Sequence, residues 1–172
     1  IWEWTPSTGA DVLRWDAWDF MSPKVDRGPR SRPGDWLHAN SLAIGANGNI
    51  LVSLHALEQI ISIASDYSEI EWRIGGPGST FKVPEEAKFS GQHTVAQVAS
   101  SRVLMFDNGF SRDGGELFSR ALELELDFQA LTVRRAWEFR PQPDNYAQIN
   151  SSARRLTNGN TLVGFGTSEG VG

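Results

Sequence analysis

The chain has three histidines, His38, His55 and His93. Imidazole is the side chain whose proton exchange and nucleophilicity are both usable near neutral pH. Two of the three fall at related points. His93 stands ten residues before Val103, and Asn40, with His38 two residues ahead of it, stands ten before Ile50. Ser151, beside Asn150, stands ten before Thr161. Val103, Ile50 and Thr161 each open an apolar β-branched run, so polar groups recur at one point of a repeating unit. A second feature is Asp107-Asn108-Gly109 followed by Arg112, a turn that presents a guanidinium, and Arg120 lies at the start of the next apolar run. Guanidinium groups fork onto oxyanions. A plain turn with a solvated arginine explains each of these as well, and strand caps explain the polar repeats. His55 follows Val52-Ser53-Leu54 and reads by itself as structural. Trp36, beside His38, is placed to stack on an aromatic ligand.

The elements that must position these groups are short strands. Ser41–Ile44, Ile50–Leu54, Gln59–Ile63 and Glu69–Ile74 are apolar or alternating runs, with Asn47-Gly48-Asn49 as a tight hairpin turn between the first two. A second set of four follows at Thr94–Val98, Arg102–Phe106, Ala121–Leu126 and Val133–Phe139. A third begins at Ala153–Leu156, turns at Asn158-Gly159-Asn160 and continues through Thr161-Leu162-Val163. Glu71-Trp72-Arg73 has counterparts in Trp2-Glu3-Trp4 and Trp137-Glu138-Phe139. Second strands starting at Ile50, Val103 and Thr161 are 53 and 58 residues apart. Four strands per unit at that period point to an all-β protein, a β-propeller of four-stranded antiparallel blades.

The expected domain is one partial propeller over residues 1–172, with blades at roughly 38–76, 91–140 and 150–172 and an insertion at 11–36 rich in Pro, Arg and Trp. About two and a half to three blades are present, where closure takes roughly four to eight. The chain therefore reads as a fragment, opening on Ile1 and internal at both ends, or else a partner, a second copy included, covers its open edges. In a propeller the first strand of each blade lines the channel, so His38, Asn40, His93, Asn150 and Ser151 are expected at one mouth of it.

Composition narrows the chemistry. The net charge of −5 argues against a general nucleic-acid binder. The absence of cysteine excludes disulfides and thiolate metal sites. No apolar run is long enough for a transmembrane helix, and no signal peptide is visible. The histidines lack the short spacings of a metal motif, and no nucleophile elbow, phosphate loop or dinucleotide fingerprint occurs. No cofactor and no metal are expected.

Taken together, Asp35-Trp36-Leu37-His38-Ala39-Asn40-Ser41, Asn47-Gly48-Asn49-Ile50-Leu51-Val52-Ser53, Ile70-Glu71-Trp72-Arg73-Ile74-Gly75-Gly76, Gly91-Gln92-His93, Phe106-Asp107-Asn108-Gly109 with Arg112, Ser119-Arg120 and Leu156–Val163 resemble the bacterial-type arylsulfotransferases over roughly Ile1 to Gly166. The resemblance implies a six-bladed propeller that moves a sulfuryl group from an aryl sulfate to a phenol, commonly in the periplasm or outside the cell. It implies that His38, His93 and Arg112 surround the sulfuryl group, with Asn40, Asn108, Arg120, His55 and Trp36 as substrate-binding candidates. In that family a further histidine, later in the sequence, becomes sulfated, and an arginine often stands near the position of His55. A non-catalytic propeller binding a ligand or protein at the same mouth is the competing expectation, and a metal-dependent lyase or hydrolase a third.

Overall fold

The computed structural model describes residues 1–110 and 117–167. Strands β1 (Trp2–Thr5) and β2 (Ala10–Leu13) form an exposed hairpin, followed by a single-turn helix α1 (Ala17–Phe20). Asp16 caps α1 by accepting from the Trp18 N–H at 3.0 Å. The stretch expected as an irregular insertion therefore begins with the second strand of a hairpin.

Two complete antiparallel meanders follow. The first comprises β3 (Ala39–Ile44), β4 (Ile50–Leu54), β5 (Gln59–Ile63) and β6 (Ile70–Ile74), hydrogen-bonded in sequence order. The second comprises β7 (His93–Ala99), β8 (Arg102–Asp107), β9 (Arg120–Asp127) and β10 (Thr132–Phe139), again in order. A hairpin of β11 (Ser152–Arg155) and β12 (Thr161–Gly164) completes the described chain. The protein is thus all-β and built of four-stranded antiparallel sheets.

The sheets stack face to face, because the middle strands have two apolar faces. Every residue of β4 and β5 is buried. Leu51 and Ile60 face the second sheet and join Val103, Met105, Leu122 and Leu124 in one core. Ile50, Val52, Leu54, Ile61 and Ile63 face the other way and pack under Trp15 and Met21 of the segment after β2. Leu104, Phe106 and Ala121 form a third core with Ala147 and Ala153. Each buried Val, Leu, Ile, Met or Phe among them contributes about 1.5–3 kcal/mol of burial.

The innermost strands meet each other. The Val95 N–H of β7 donates to Ser41 Oγ of β3 at 2.9 Å, and the Ala153 N–H of β11 donates to Thr94 Oγ1 of β7 at 3.1 Å. One hydroxyl per unit therefore ties each inner strand to the next, as blades of a propeller require. The backbone repeats as well. His38, Thr94, and Asn150 with Ser151 all have positive φ (49°, 46°, 59° and 84°) where the inner strands begin. None is glycine, so each unit holds strain at that point.

Candidate functional site

The turn after β4 carries His55. It is a 3-10 turn, His55–Leu57, closed by Glu58 in the left-handed region. The His55 N–H donates to the His38 carbonyl at 3.0 Å, and the Ala56 N–H donates to the Leu37 carbonyl at 3.1 Å. The segment entering β3 is thereby fixed against the segment leaving β4. The corresponding position after β8 is Asn108, and β7 opens with His93 alongside it.

These elements bring the three histidines into one row. The His38 and His55 rings lie 5.0 Å apart and the His55 and His93 rings 5.4 Å apart. Residues 38, 55 and 93 come from three separate strand ends, and the stacking of two sheets joins them. Among the described residues no group of three potential ligands is arranged to hold a metal ion.

Each ring has a different setting. His93 Nδ1 is 2.8 Å from Asn108 Oδ1 and 3.1 Å from the Gly91 carbonyl. Asn108 Nδ2 donates to the carbonyls of Ala147 and Asn150 at 2.7 and 3.2 Å, which directs Oδ1 at the ring. Both neighbours of Nδ1 are acceptors, so Nδ1 carries the proton and the neutral ring keeps its lone pair on Nε2. His38 Nδ1 is 2.6 Å from Asp35 Oδ2, and both side chains are about half exposed. The carboxylate orients that ring. His55, between them, is pulled down from 6.5 to about 4. Desolvation is the largest cause, followed by the charges of His93, His38 and Arg30; a contact with the Gly91 carbonyl opposes them.

Two further groups complete the site. The Arg30 guanidinium lies 3.9 Å over the Phe110 ring, and Phe110 meets His55 edge-on at 5.8 Å. Arg30 Nε sits 3.6 Å from Glu58. Its backbone N–H donates to the Ala56 carbonyl at 3.1 Å, anchoring the long segment before β3 onto the turn that carries His55. Spacing gave no signal for Arg30 or Phe110. Arg30 lies within Gly28-Pro29-Arg30-Ser31-Arg32-Pro33, a stretch with no strand periodicity, and only tertiary contact brings it to the histidines.

The remaining candidates are placed as follows. Asn40 Nδ2 donates to the Gln92 carbonyl at 2.8 Å, while its buried Oδ1 has no partner. Gln92 Nε2 donates to Ser53 Oγ, the Leu54 carbonyl and the Gln59 carbonyl, locking the segment before His93 to the two strands that flank the His55 turn. Arg120 is buried, and its three guanidinium nitrogens are committed to Asp107 Oδ2 (2.9 Å), Glu138 (2.7 Å) and the Lys88 carbonyl (2.7 Å). Burial works to raise Glu138, but the hydrogen bond and charge of Arg120, helped by Arg135, hold it below the ordinary carboxylate range. Trp36 packs against Trp18 rather than against a histidine, with ring centroids 5.5 Å apart. Arg112 lies outside the described residues.

The arrangement offers a row of imidazoles with one fixed lone pair, one carboxylate-oriented ring and a stacked guanidinium beside them. Groups of these types are the ones that can hold an oxyanion and exchange a proton. Comparison with curated proteins finds no match. The family model described as Arylsulfotransferase (ASST) matches residues 1–171. That match takes in both complete sheets and all three histidines, and the chain belongs to the arylsulfotransferase family.

Proposed function

We propose that the histidine row is a sulfuryl-transfer site, taking the group from an aryl sulfate and delivering it to a phenol. The observation that carries this reading is His93, whose Nδ1–H is held by Asn108 and Gly91 so that Nε2 presents its lone pair. Sulfuryl transfer resembles phosphoryl transfer, with a loose transition state and charge spread over the equatorial oxygens. Catalysis is then mostly positioning and cationic hydrogen bonding.

In this reading, which departs from the family pattern of a later sulfated histidine, Nε2 of His93 forms the N–S bond as the S–O bond to the aryl group breaks. His38, oriented by Asp35, gives a proton to the departing aryloxide and later takes one from the incoming phenol. Arg30 faces the sulfuryl oxygens, and the family resemblance gives Arg112 the same role. His55 stays neutral and acts as a spacer and hydrogen-bonding partner. A covalent histidine intermediate makes the kinetics ping-pong. The periplasm or the cell exterior is the proposed location.

The test is to incubate the protein with an aryl sulfate and a phenol and follow release of the first phenol and sulfation of the second. Intact-mass measurement after donor alone looks for a sulfuryl adduct. We expect transfer, an adduct lost in His93→Asn, and a rate at least ~100-fold lower in His38→Asn. Absence of transfer, or transfer unchanged in His93→Asn, overturns the reading. A second reading, ligand binding without transfer, draws on His55: the central ring is held as free base and moves no proton at neutral pH.

A further inference from the structure

A cavity of about 390 Å³ lies in the segment between β2 and β3. Trp18, Trp36, Arg27 and Arg32 are among its lining residues, and none of the three histidines is. Trp18 is 65% exposed, although it is one of the largest apolar side chains in the protein. The two indole rings are tilted 47° to one another, so they form a splayed aromatic wall.

The charges of this cavity are unusual for the molecule. Arg14, Arg30, Arg73, Arg102, Arg120, Arg134, Arg135, Arg140 and Arg155 all form ion pairs with carboxylates. Among the described residues the Arg27, Arg32 and Arg154 side chains form none, in a chain with a net charge of −5, and the first two of these line this cavity. Two arginines without ion pairs thus line one small cavity with two tryptophans.

The frame is preorganised. Ser31 Oγ donates to the Trp36 carbonyl at 2.7 Å and accepts from the Gly28 N–H at 3.0 Å. The Arg32 and Asp35 backbones exchange two hydrogen bonds across Gly34, which takes a φ of 83°. Asp26, next to Arg27, is buried, bonded to the Ser22 N–H and paired with Arg73 of β6. A cavity whose walls are fixed before binding loses little ordering entropy when it fills.

We infer that this cavity is a binding site for a flat aromatic anion. The ring of the ligand lies on the indole faces, and its sulfonate, sulfate or carboxylate lies against Arg27 and Arg32. The site is separate from the histidine row, so it binds whether or not that row transfers a sulfuryl group.

The experiment uses 1-naphthalenesulfonate as probe in isothermal titration calorimetry, with the histidine imidazole resonances followed in parallel. The expected result is one saturable site that persists in His93→Asn. Arg27→Gln/Arg32→Gln weakens it at least ~10-fold, and Trp18→Ala does likewise. Because both arginines lack ion-pair partners, the double variant keeps the wild-type unfolding midpoint, so its loss of binding is not a loss of fold. The neutral analogue 1-naphthalenemethanol binds at least ~10-fold more weakly. Equal affinity in the double variant and the wild type overturns the inference. So does binding that disappears in His93→Asn and shifts the imidazole resonances, which assigns the probe to the histidine row. Failure of sulfuryl transfer leaves all of these binding results unchanged.

Discussion

Asn108 makes His93 chemically definite. A primary amide has one acceptor and one donor end, and the carbonyls of Ala147 and Asn150 claim the donor end. The acceptor end then fixes the imidazole tautomer, as a carboxylate does for His38 through Asp35. His55 has neither kind of partner: its Nδ1 is buried without one. Burial, then His93, His38 and Arg30, hold the folded ring near 4 against 6.5 when unfolded. Between those values the unfolded chain binds a proton that the folded chain refuses. The stability due to this ring is therefore complete above about pH 6.5, falls as the pH drops toward about 4, and is flat below that. Imidazole NMR should place the His55 midpoint near 4. Urea unfolding of His55→Asn should lack this part of the pH dependence. A folded-state midpoint near 6.5 would refute the assignment.

At the scale of elements, the site depends on how closely the segment before β3 lies on the turn after β4. Gly28 is the contact point. A Cβ there would stand 2.4 Å from Leu57 Cα and 2.5 Å from the Ala56 carbonyl oxygen, both backbone atoms of the His55 turn. Neither side can yield by a rotamer change, so one segment has to move. Gly28→Ala should cost about 1–3 kcal/mol in urea unfolding. It should also draw Arg30 away from Phe110 and let the His55 midpoint rise. A variant with wild-type stability and an unmoved His55 midpoint would show that this contact does not position the site. The hydroxyls of Ser41 and Thr94 act in the same way between inner strands, each accepting from a backbone N–H of the next sheet.

Across the whole molecule, a chain of charges joins successive sheets. Glu123 of β9 is almost fully buried and pairs with Arg102 of β8 at 3.1 Å and with Arg155 of β11. Arg102 also reaches Glu125, which binds Arg134 of β10. Arg155 further lies over the Trp137 ring, 5.3 Å from its centroid. The hairpin of β11 and β12 is therefore held by a shared carboxylate as well as by the Leu104–Phe106–Ala153 core. Glu123→Gln keeps the shape but leaves both guanidinium groups short of charge. It should lower stability by about 1–3 kcal/mol and speed amide exchange in β11 and β12 more than in β4 and β5. Uniform acceleration across all sheets would count against a local tie.

The strands were legible because their signals are local. Period-two alternation, β-branched runs and Asn-Gly turns act over a few residues, and β3 to β12 form close to where those signals lie. The recurrence of polar groups before the second strands was legible for the same reason, and it brought out His38, Asn40 and His93. The lack of cysteine likewise excluded disulfide frameworks from the sequence alone. Tertiary structure decided the rest. The place of His55 at the centre of the row follows from the stacking of two sheets, which no spacing in the chain encodes. Arg30 and Phe110 reach the row from segments without periodicity. Arg120 and Trp36 show the converse: sequence offered both as substrate-binding candidates, yet Arg120 is committed to Asp107, Glu138 and the Lys88 carbonyl, and Trp36 lies against Trp18. Side-chain direction depends on what is packed around a residue, and that is known only once the sheets have met.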